Sequence, residues 1–402
     1  MPITRRELLW RIAAGLAASQ LTACPFAGGG ASVAPARAGK FRGMRVDPGR
    51  LYDLPGYDAA TIAAEVVRDA RLAAVDMLVV YAHNPVFGAF YPTNYPATEV
   101  EGGLGAADFL GQVLHLTAPH GIRVVAAVPV NSFRRAWLDN PAWRVRTRGG
   151  ADYDPDAPDA RLTFPLSGWH DGFRDWYAGL LRDLLTRHPT LAGVEAWEGE
   201  LDRRWTNEVD HNAEAVRKFR ERYPHGSFDG PEWRSFRAEA LTRLYATLAA
   251  EAHAAGRMAL VVQTWAARPD GTLMTPVEIR DGSGFDFNGI MDLPPPGRPD
   301  VVTAELIWQQ WRAEHGTAVF TPDWTRAASR EFVHFAAGRV RPLAHVELTA
   351  FPEEHPVVTP TVNEFRTALG HAFGEAEGAT FYDYTLMRQR GASDAVRAVY
   401  ET

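Results

Sequence analysis

Cysteine, lysine and long hydrophobic runs are scarce in this chain of 402 residues. Its single cysteine, Cys24, leaves no partner for an intramolecular disulfide. Lysine occurs only at positions 40 and 218, a bias that we attribute to genomic base composition. The apolar run over residues 12–18 is too short to span a bilayer permanently. With a net charge of −7 and no long basic run, the chain offers nothing that would recruit nucleic acid.

Several catalytic signatures are also missing. Where a glycine-rich phosphate loop would follow the first strand, the chain has Asp47-Pro48-Gly49, which argues against a nucleotide-binding fold. The absence of Gly-x-Ser-x-Gly argues against a serine nucleophile. The chain has no His-x-His on its first strand and no His-x-x-x-His, the close spacings that make a metal site readable. We therefore expect neither a cofactor nor a bound metal.

What is present begins with an export signal. Residues 4–9, Thr-Arg-Arg-Glu-Leu-Leu, carry the paired arginines of a twin-arginine leader. Leu21-Thr22-Ala23-Cys24 resembles the bacterial lipoprotein box, in which the cysteine receives the lipid. Cleavage after Ala36-Arg37-Ala38 is the alternative, and it would release a protein without an anchor. In both cases the mature chain works outside the cytoplasm, in the cell envelope.

The signal peptide and the stretch that follows it divide the chain into three expected segments. Residues 1–23 form the signal peptide, residues 24–40 form a flexible tether rich in glycine, alanine and proline, and residues 41–402 form the folded part. A lipid on Cys24 would make the membrane one partner of the protein. The sequence leaves open whether the protein has protein partners.

From residue 41 onward, short apolar runs alternate with longer amphipathic stretches, as in repeated βα units. The expected strands are Arg42–Asp47, Met77–His83, Arg123–Val130, Gly193–Glu198, Ala259–Trp265, Val301–Trp308, Ala344–Thr349 and Thr380–Thr385. The expected helices are Ala59–Leu72, Ala106–Pro119, Gly168–Arg187, Pro231–Ala255, Thr321–Ala337 and Thr361–Phe373. Eight such strands predict an α/β fold, a single (β/α)₈ TIM barrel with long loops after strands 2 to 5.

Polar residues gather near the carboxyl ends of these strands, which meet at one mouth in a barrel. They are Asp47, His83, Asn84, Asn131, Glu198, Glu200, Gln263, Glu305, His345, Glu347 and Asp383. Each also has a structural interpretation, because buried histidines often serve packing and aspartates often cap loops. The coincidence of carboxylates on strands four, six and seven favours a catalytic site.

The fourth strand carries the densest cluster, with four carboxylates and Trp197 within residues 192–202. On an alternating strand, Val194, Ala196 and Glu198 share one face, while Glu195 and Trp197 share the other. Glu200 then lies in the loop behind the strand. Glu198 is the favoured catalytic residue of this cluster.

Glycoside hydrolysis requires two carboxyl groups, one protonated and one ionised, on either side of the scissile bond. Strands four and seven face each other across a barrel mouth, so Glu198 and Glu347 form the expected pair. Glu305 is a third candidate that can replace either one. Retention or inversion depends on the distance between the two carboxyl groups, which the sequence leaves open.

Aromatic residues flank the same strand ends, and sugar rings pack well on aromatic faces. Most of these rings are expected in the core. We expect substrate contacts from the following side chains: Tyr81, Tyr91, Trp197, Trp265, Trp308 and Tyr382.

The runs Leu78-Val79-Val80-Tyr81-Ala82-His83-Asn84, Phe90-Tyr91-Pro92-Thr93 and residues 120–130 resemble the opening of bacterial glycoside-hydrolase-like TIM-barrel families. These families include the hydrolase half of periplasmic poly-N-acetylglucosamine processing lipoproteins. In them a Leu-x-Gly lead precedes a fourth strand that ends in an acidic pair, and here Leu191-Ala192-Gly193 leads to Glu198. The resemblance implies catalysis by Glu198. The chain departs from it at Gly199, in the second acidic position, and by using glutamate in place of aspartate.

The resulting prediction is an exported glycoside hydrolase that cleaves a polysaccharide or oligosaccharide with two carboxyl groups. One alternative is a metal-dependent carbohydrate hydrolase or deacetylase, in which His83, His345 and nearby acids hold an ion. A second is a lipid-anchored glycan-binding protein without activity, since a fold does not assign a reaction.

Overall fold

Eight parallel strands close into a barrel in the computed structural model, which describes residues 39–52, 58–154, 164–197, 199, 209–348 and 359–402. Every strand pairs in parallel with its neighbours in chain order, and the eighth closes the barrel by pairing with the first. Helices surround the barrel. This is the predicted (β/α)₈ fold, which is confirmed.

The barrel strands run close to the expected bounds. They are β1 Phe41–Val46, β2 Met77–Tyr81, β3 Arg123–Pro129, β4 Gly193–Trp197, β5 Met258–Thr264, β6 Val301–Glu305, β7 Arg341–Glu347 and β8 Gly378–Tyr382. Two further two-residue strands, His83–Asn84 and Gly88–Ala89, pair antiparallel in the loop after β2.

Helices cover the outside of the barrel and part of its loops. The described α-helices are α1 Pro48–Leu51, α2 Ala59–Leu72, α3 Phe109–Thr117, α4 Arg134–Asp139, α5 Asp171–Arg187, α6 Ala213–Arg222, α7 Pro231–Ala254, α8 Pro276–Ser283, α9 Phe287–Met291, α10 Trp308–His315, α11 Pro322–Ala336, α12 Val362–Glu375, α13 Tyr384–Gln389 and α14 Ser393–Tyr400. Short 3₁₀ turns occupy Ala118–His120 and Pro141–Trp143.

Most element boundaries differ from expectation by one to three residues. The sixth strand ends at Glu305, and Trp308, expected at its end, begins α10. Within the long loop after β5, the short helix α9 forms and is capped by Asp286. Thr361, expected as the first residue of a helix, caps α12, and its side chain forms a capping box with that of Glu364.

The alternation of side chains along each strand divides the core into two layers. One layer fills the barrel interior with residues such as Met77, Val79 and Leu260. The other lies between strands and helices and includes Val194 and Ala196. Burying each large aliphatic side chain contributes about 1.5–3 kcal/mol, so both layers stabilise the closed barrel. The same alternation decides which polar residues can reach the mouth.

Candidate active site

The barrel interior contains a buried ion pair between β1 and β4. The guanidinium of Arg45 donates two hydrogen bonds to Glu195, at 2.7 Å to Oε1 and 3.0 Å to Oε2. The side chains of Arg45 and Glu195 are 1% and 0% exposed. Burial disfavours the charged guanidinium, but the nearby carboxylate of Glu195 outweighs it and holds the pKa of Arg45 above its usual value. Glu195 therefore serves as the fixed counter-ion of Arg45.

His345 on β7 lies in the same layer. Its Nδ1 is 2.8 Å from Thr380 Oγ1 and accepts from Arg45 Nε at 3.4 Å. Burial, with the adjacent Arg45 charge, holds the pKa of His345 well below its usual value, so the imidazole stays neutral. The structure places this expected substrate-binding residue within the buried layer of Arg45 and Glu195.

Glu305 lies at the carboxyl end of β6, directly beside His345 in the strand register. Its carboxylate accepts a hydrogen bond from Thr264 Oγ1 at 2.8 Å, and the residue stays partly exposed. Glu305 also interacts electrostatically with Arg45. Glu305 is thus an inward-facing, hydrogen-bonded carboxylate that lies between the buried layer and the barrel mouth.

Glu347 ends β7, two residues farther along the strand than His345, and is 7% exposed. Gln309, at the start of α10, donates from Nε2 to Glu347 Oε2 at 3.3 Å and also lies 3.4 Å from its carbonyl oxygen. Since neighbouring strands lie about 4.8 Å apart and each residue rises about 3.3 Å, the Cα atoms of Glu305 and Glu347 are separated by about 8 Å. The structure brings these two candidates together at one end of the barrel.

Three aromatic side chains line the interior beside these carboxylates. Tyr81 meets Trp197 edge-on with ring centroids 4.7 Å apart, and it meets Tyr382 at 6.3 Å. The Tyr382 hydroxyl donates to Asp47 Oδ2 at 2.8 Å, while Asp47 Oδ1 accepts from the amide of Gly49 at 2.9 Å. Four of the expected substrate-binding residues therefore form one cluster: Asp47, Tyr81, Trp197 and Tyr382.

The indole nitrogen of Trp197 is a donor available in this cluster. Trp197 is 6% exposed, and its Nε1 atom has no hydrogen-bond partner among the described residues. A buried N–H without a partner is costly, and a bound hydroxyl or water would satisfy it. Together with the aromatic faces, this donor suits a sugar ring.

Several expected contacts lie elsewhere. Trp265 and Trp308 belong to the layer between strands and helices, where Trp265 stacks on Phe287 and donates to the carbonyl of Met274 at 2.7 Å. Tyr91 is buried in the same layer against His188. These three rings are sealed from the mouth because their strands and loops turn them outward, which differs from the expected sugar contacts.

Val261, two residues before Gln263 on β5, faces the helices. Because side chains alternate along a strand, Gln263 also faces the helices, and the next residue, Thr264, faces the barrel interior. Its Nε2 has no partner among the described residues. Thr264, which the sequence did not single out, takes the inward position and binds Glu305.

His83 and Asn84 form the small hairpin after β2. Burial lowers the pKa of His83 to about 3, and the ring packs edge-on against Phe133. Asn84 Oδ1 accepts from the backbone amides of Val86 and Phe87 at 2.9 and 3.2 Å, which shapes the turn. Both residues thus have structural roles in this loop.

Asp383 caps α13 by accepting from the amide of Leu386 at 3.1 Å. Burial, partly opposed by the charge of Arg50, raises the pKa of Asp383 to about 6. Glu198, Glu200 and Cys24 lie outside the described residues. Among the residues that the structure describes, no group of three His, Cys, Asp or Glu side chains is arranged to hold a metal ion.

Three residues at this end of the barrel were missed in the sequence: Arg45, Thr264 and Gln309. Alternation on β1 could have found Arg45, because it shares a face with Asp47. No local pattern marks Gln309, whose role depends on the position of α10 beside β7.

Comparison with known proteins adds to this geometry. No family model matches the chain, and no curated protein does. The glycoside hydrolase domain of PgaB (BpsB) from Bordetella bronchiseptica matches with a TM-score of 0.67 at 14% identity, covering 90% of this chain and 99% of that one.

Two larger enzymes share the fold. A β-galactosidase from the psychrophilic Marinomonas ef1 matches with a TM-score of 0.62 at 11% identity, over 89% of this chain and 58% of that one. An α-L-fucosidase from Paenibacillus thiaminolyticus gives 0.55 at 13% identity, over 90% and 49%. Such identities establish likeness of fold alone. This chain has the TIM-barrel fold, and the glycoside hydrolase domain of PgaB is among the structures that it resembles.

Proposed function

We propose that the protein is an exported glycoside hydrolase that cleaves a polysaccharide with two carboxyl groups at the barrel mouth. The observation that carries the proposal is the placement of Glu347 and Glu305 at the carboxyl ends of neighbouring strands, both turned into the barrel. The fold supports it, because TIM barrels place their active sites at this end.

In the proposed reaction, one carboxyl group gives its proton to the glycosidic oxygen as the C–O bond breaks. A second, ionised carboxylate either attacks the anomeric carbon or takes a proton from the attacking water. Water supplies the hydroxyl group of the new reducing end. We assign these roles to Glu347 and Glu198, with Glu305 able to replace either one.

The aromatic cluster supports a carbohydrate substrate. Tyr81, Trp197 and Tyr382 present ring edges and faces beside Asp47, whose carboxylate accepts hydrogen bonds. Rings that bind C–H surfaces and polar groups that bind hydroxyls are the two elements of a sugar site. Asp47 and Trp197 Nε1, which has no hydrogen-bond partner among the described residues, would orient the sugar through its hydroxyl groups.

A hydrolysis screen tests the proposal. Polysaccharides and oligosaccharides of the cell envelope are incubated with the parent and with the variants E347Q, E305Q and E198Q, and reducing ends are measured. We expect at least one substrate to be cleaved and E347Q and E198Q to be slower by about 10² to 10⁴, the usual contribution of a general acid or base. Glu331→Gln, on the exposed side of α11, removes the same charge and should retain full activity.

The same screen separates the alternatives. Release of acetate without new reducing ends would identify a deacetylase. Glycan binding that survives in E347Q and E198Q, with no cleavage by the parent, would identify a binding protein. Either result would overturn the proposal.

We also propose that the protein is exported by the twin-arginine route and anchored by a lipid on Cys24. The paired arginines and the Leu-Thr-Ala-Cys box support this. None of the described helices is long and apolar enough to cross a membrane.

A further inference from the structure

The chain enters the barrel at the end opposite to the mouth. Because all eight strands are parallel, their amino ends meet at one face, which we call the basal face. Lys40 is fixed there, since its Nζ donates to the carbonyls of Phe373 and Gly374 at the end of α12, at 2.6 and 2.9 Å. The Phe41 amide then bonds the carbonyl of Glu377 at 3.0 Å, which begins β1. Any anchor that precedes residue 39 is therefore joined to the basal face.

The basal face carries an excess of positive charge. Its eight segments are residues 39–42, 71–76, 118–123, 187–192, 255–258, 292–300, 337–341 and 376–378. They contain nine arginine or lysine residues and four carboxylates, although the whole chain has a net charge of −7. The positive charge is thus concentrated at one end of an acidic protein.

Ion pairing reduces this excess but does not remove it. Arg187 binds Asp183, Arg339 binds Asp292 and Arg341 binds Glu377. Arg71, Arg257 and Arg298 form no ion pair with a described residue.

Asp76 is shared, because Arg42 and Arg123 both bind its carboxylate, at 3.0 and 2.7 Å. The guanidiniums of Arg123 and Arg341 also lie 4.4 and 4.3 Å from the centre of the Phe41 ring. These contacts hold several cations together at the centre of the face.

An exposed apolar side chain lies on the same face. Leu72, the last residue of α2, is 57% exposed, more than any other large hydrophobic side chain among the described residues. It follows Arg71, which is exposed and forms no ion pair with a described residue. A leucine beside arginines suits the boundary between lipid headgroups and acyl chains.

We propose that the basal face rests on an anionic membrane and holds the barrel mouth away from it, towards the polymer. This inference rests on the proposed anchoring at Cys24. Fourteen residues separate Cys24 from Gly39, enough to reach at most about 50 Å when fully extended. The tether thus keeps the face near the membrane surface, where each basic residue adds to the attraction to anionic lipids. The tether and Leu72 favour a membrane over a soluble polyanion.

Vesicle sedimentation tests the proposal without the lipid. The full chain carrying Cys24→Ser is mixed with phosphatidylcholine vesicles that contain or lack phosphatidylglycerol, at low and high salt. We expect binding only with phosphatidylglycerol, weakened by salt. Adding Arg71→Glu and Arg298→Glu should reduce binding at least about tenfold. Both proteins share one N-terminal segment, so their difference reports on the basal face.

The matched control adds Arg135→Glu and Arg217→Glu, which make the same charge change in segments after β3 and β4. It should bind as the parent does. Equal binding of all three proteins, or equal loss in both charge variants, would overturn the proposal. So would retention on a soluble polyanion column without preference for anionic vesicles. Glycan hydrolysis measured on the same samples should be unchanged, so failure of membrane binding and failure of the proposed activity are separate results.

Discussion

Arg45 on β1 and Glu195 on β4 form a bidentate ion pair inside the barrel, with almost no exposed surface on either side chain. The two residues are 150 positions apart in the chain. Their pairing turns one of the four strand-four carboxylates into a structural group beneath the candidate catalytic residues.

The first prediction concerns this pair. Glu195→Gln leaves the Arg45 charge buried and unpaired, so the free energy of unfolding should fall by about 3–5 kcal/mol. Arg45→Met should be similarly harmful, and combining Arg45→Met with Glu195→Leu should recover part of the loss. Urea unfolding at neutral pH measures all three. Glu401→Gln, in the exposed pair with Arg397, should change stability little. A single Glu195→Gln variant as stable as the parent would contradict the prediction.

The second prediction concerns Gln309. Gln309→Leu removes the hydrogen bond that its amide donates to the Glu347 carboxylate. Since that bond favours the ionised form of the carboxyl group, its loss should favour the protonated form. The limb of the kcat/KM profile that Glu347 controls should therefore move to higher pH. A shift of the acidic limb makes Glu347 the ionised partner, and a shift of the alkaline limb makes it the acid. An unmoved profile would remove Glu347 from both roles.

The third prediction concerns Asp383. Burial raises its pKa from 3.8 to about 6 in the folded protein, so folding favours the protonated form. Its contribution to stability is complete below pH 3.8 and is lost as pH rises to about 6. Asp383→Asn keeps the oxygen that caps α13 but does not ionise. The stability of the parent relative to this variant should fall by about 2–3 kcal/mol between pH 4 and 7. Urea unfolding across this pH range measures the difference in stability between the two proteins. A difference that stays constant with pH would contradict the prediction.

The fourth prediction separates the two classes of aromatic residue. Trp197→Phe removes an indole N–H inside the barrel, so glycan binding should weaken about tenfold while the fold is retained. Trp265→Phe changes a buried ring between strands and helices, so it should lower stability and leave affinity nearly unchanged. Isothermal titration with an oligosaccharide that the parent cleaves measures the affinity, and thermal unfolding measures the stability. Equal loss of affinity in both variants would show that the structure assigns these rings wrongly.

The fifth prediction concerns the anchor. Cys24→Ser removes the only thiol of the chain, so lipid labelling should disappear, and a high-salt wash should release the protein from membranes that retain the lipid-anchored parent. Fractionation of cells labelled with a fatty-acid probe measures both. Replacing Arg5 and Arg6 by lysine should separately block export. Full labelling of the Cys24→Ser protein would exclude the lipoprotein.

The barrel fold could be predicted from local sequence patterns. Strands are short and β-branched, and helices show capping signals such as Thr321-Pro322, so each βα unit is specified within about forty residues. Boundaries shifted by up to three residues, as where Trp308, expected in the sixth strand, begins a helix. Glu305 and Glu347 were also predictable, because the carboxyl ends of parallel strands must meet.

The face of the barrel wall on which each side chain lies was harder to predict from the sequence. Trp265 ends one expected strand and Tyr382 lies within another, yet Trp265 faces the helices and Tyr382 faces the barrel interior. A shift of one residue reverses the facing of a side chain, so small errors in a strand boundary exchange core and site. Glu198 remains a sequence-based prediction, whereas Glu195 on the same strand already has a partner.

The amino-acid sequence by itself determined the eightfold alternation, the export signal and the set of strand-end carboxylates, since each depends on neighbours in the chain. Only the tertiary structure decided that Glu195 binds Arg45, that Gln309 supports Glu347 and that the cations gather at the basal face. Those contacts join residues far apart in sequence, and barrel closure alone sets the distances between them.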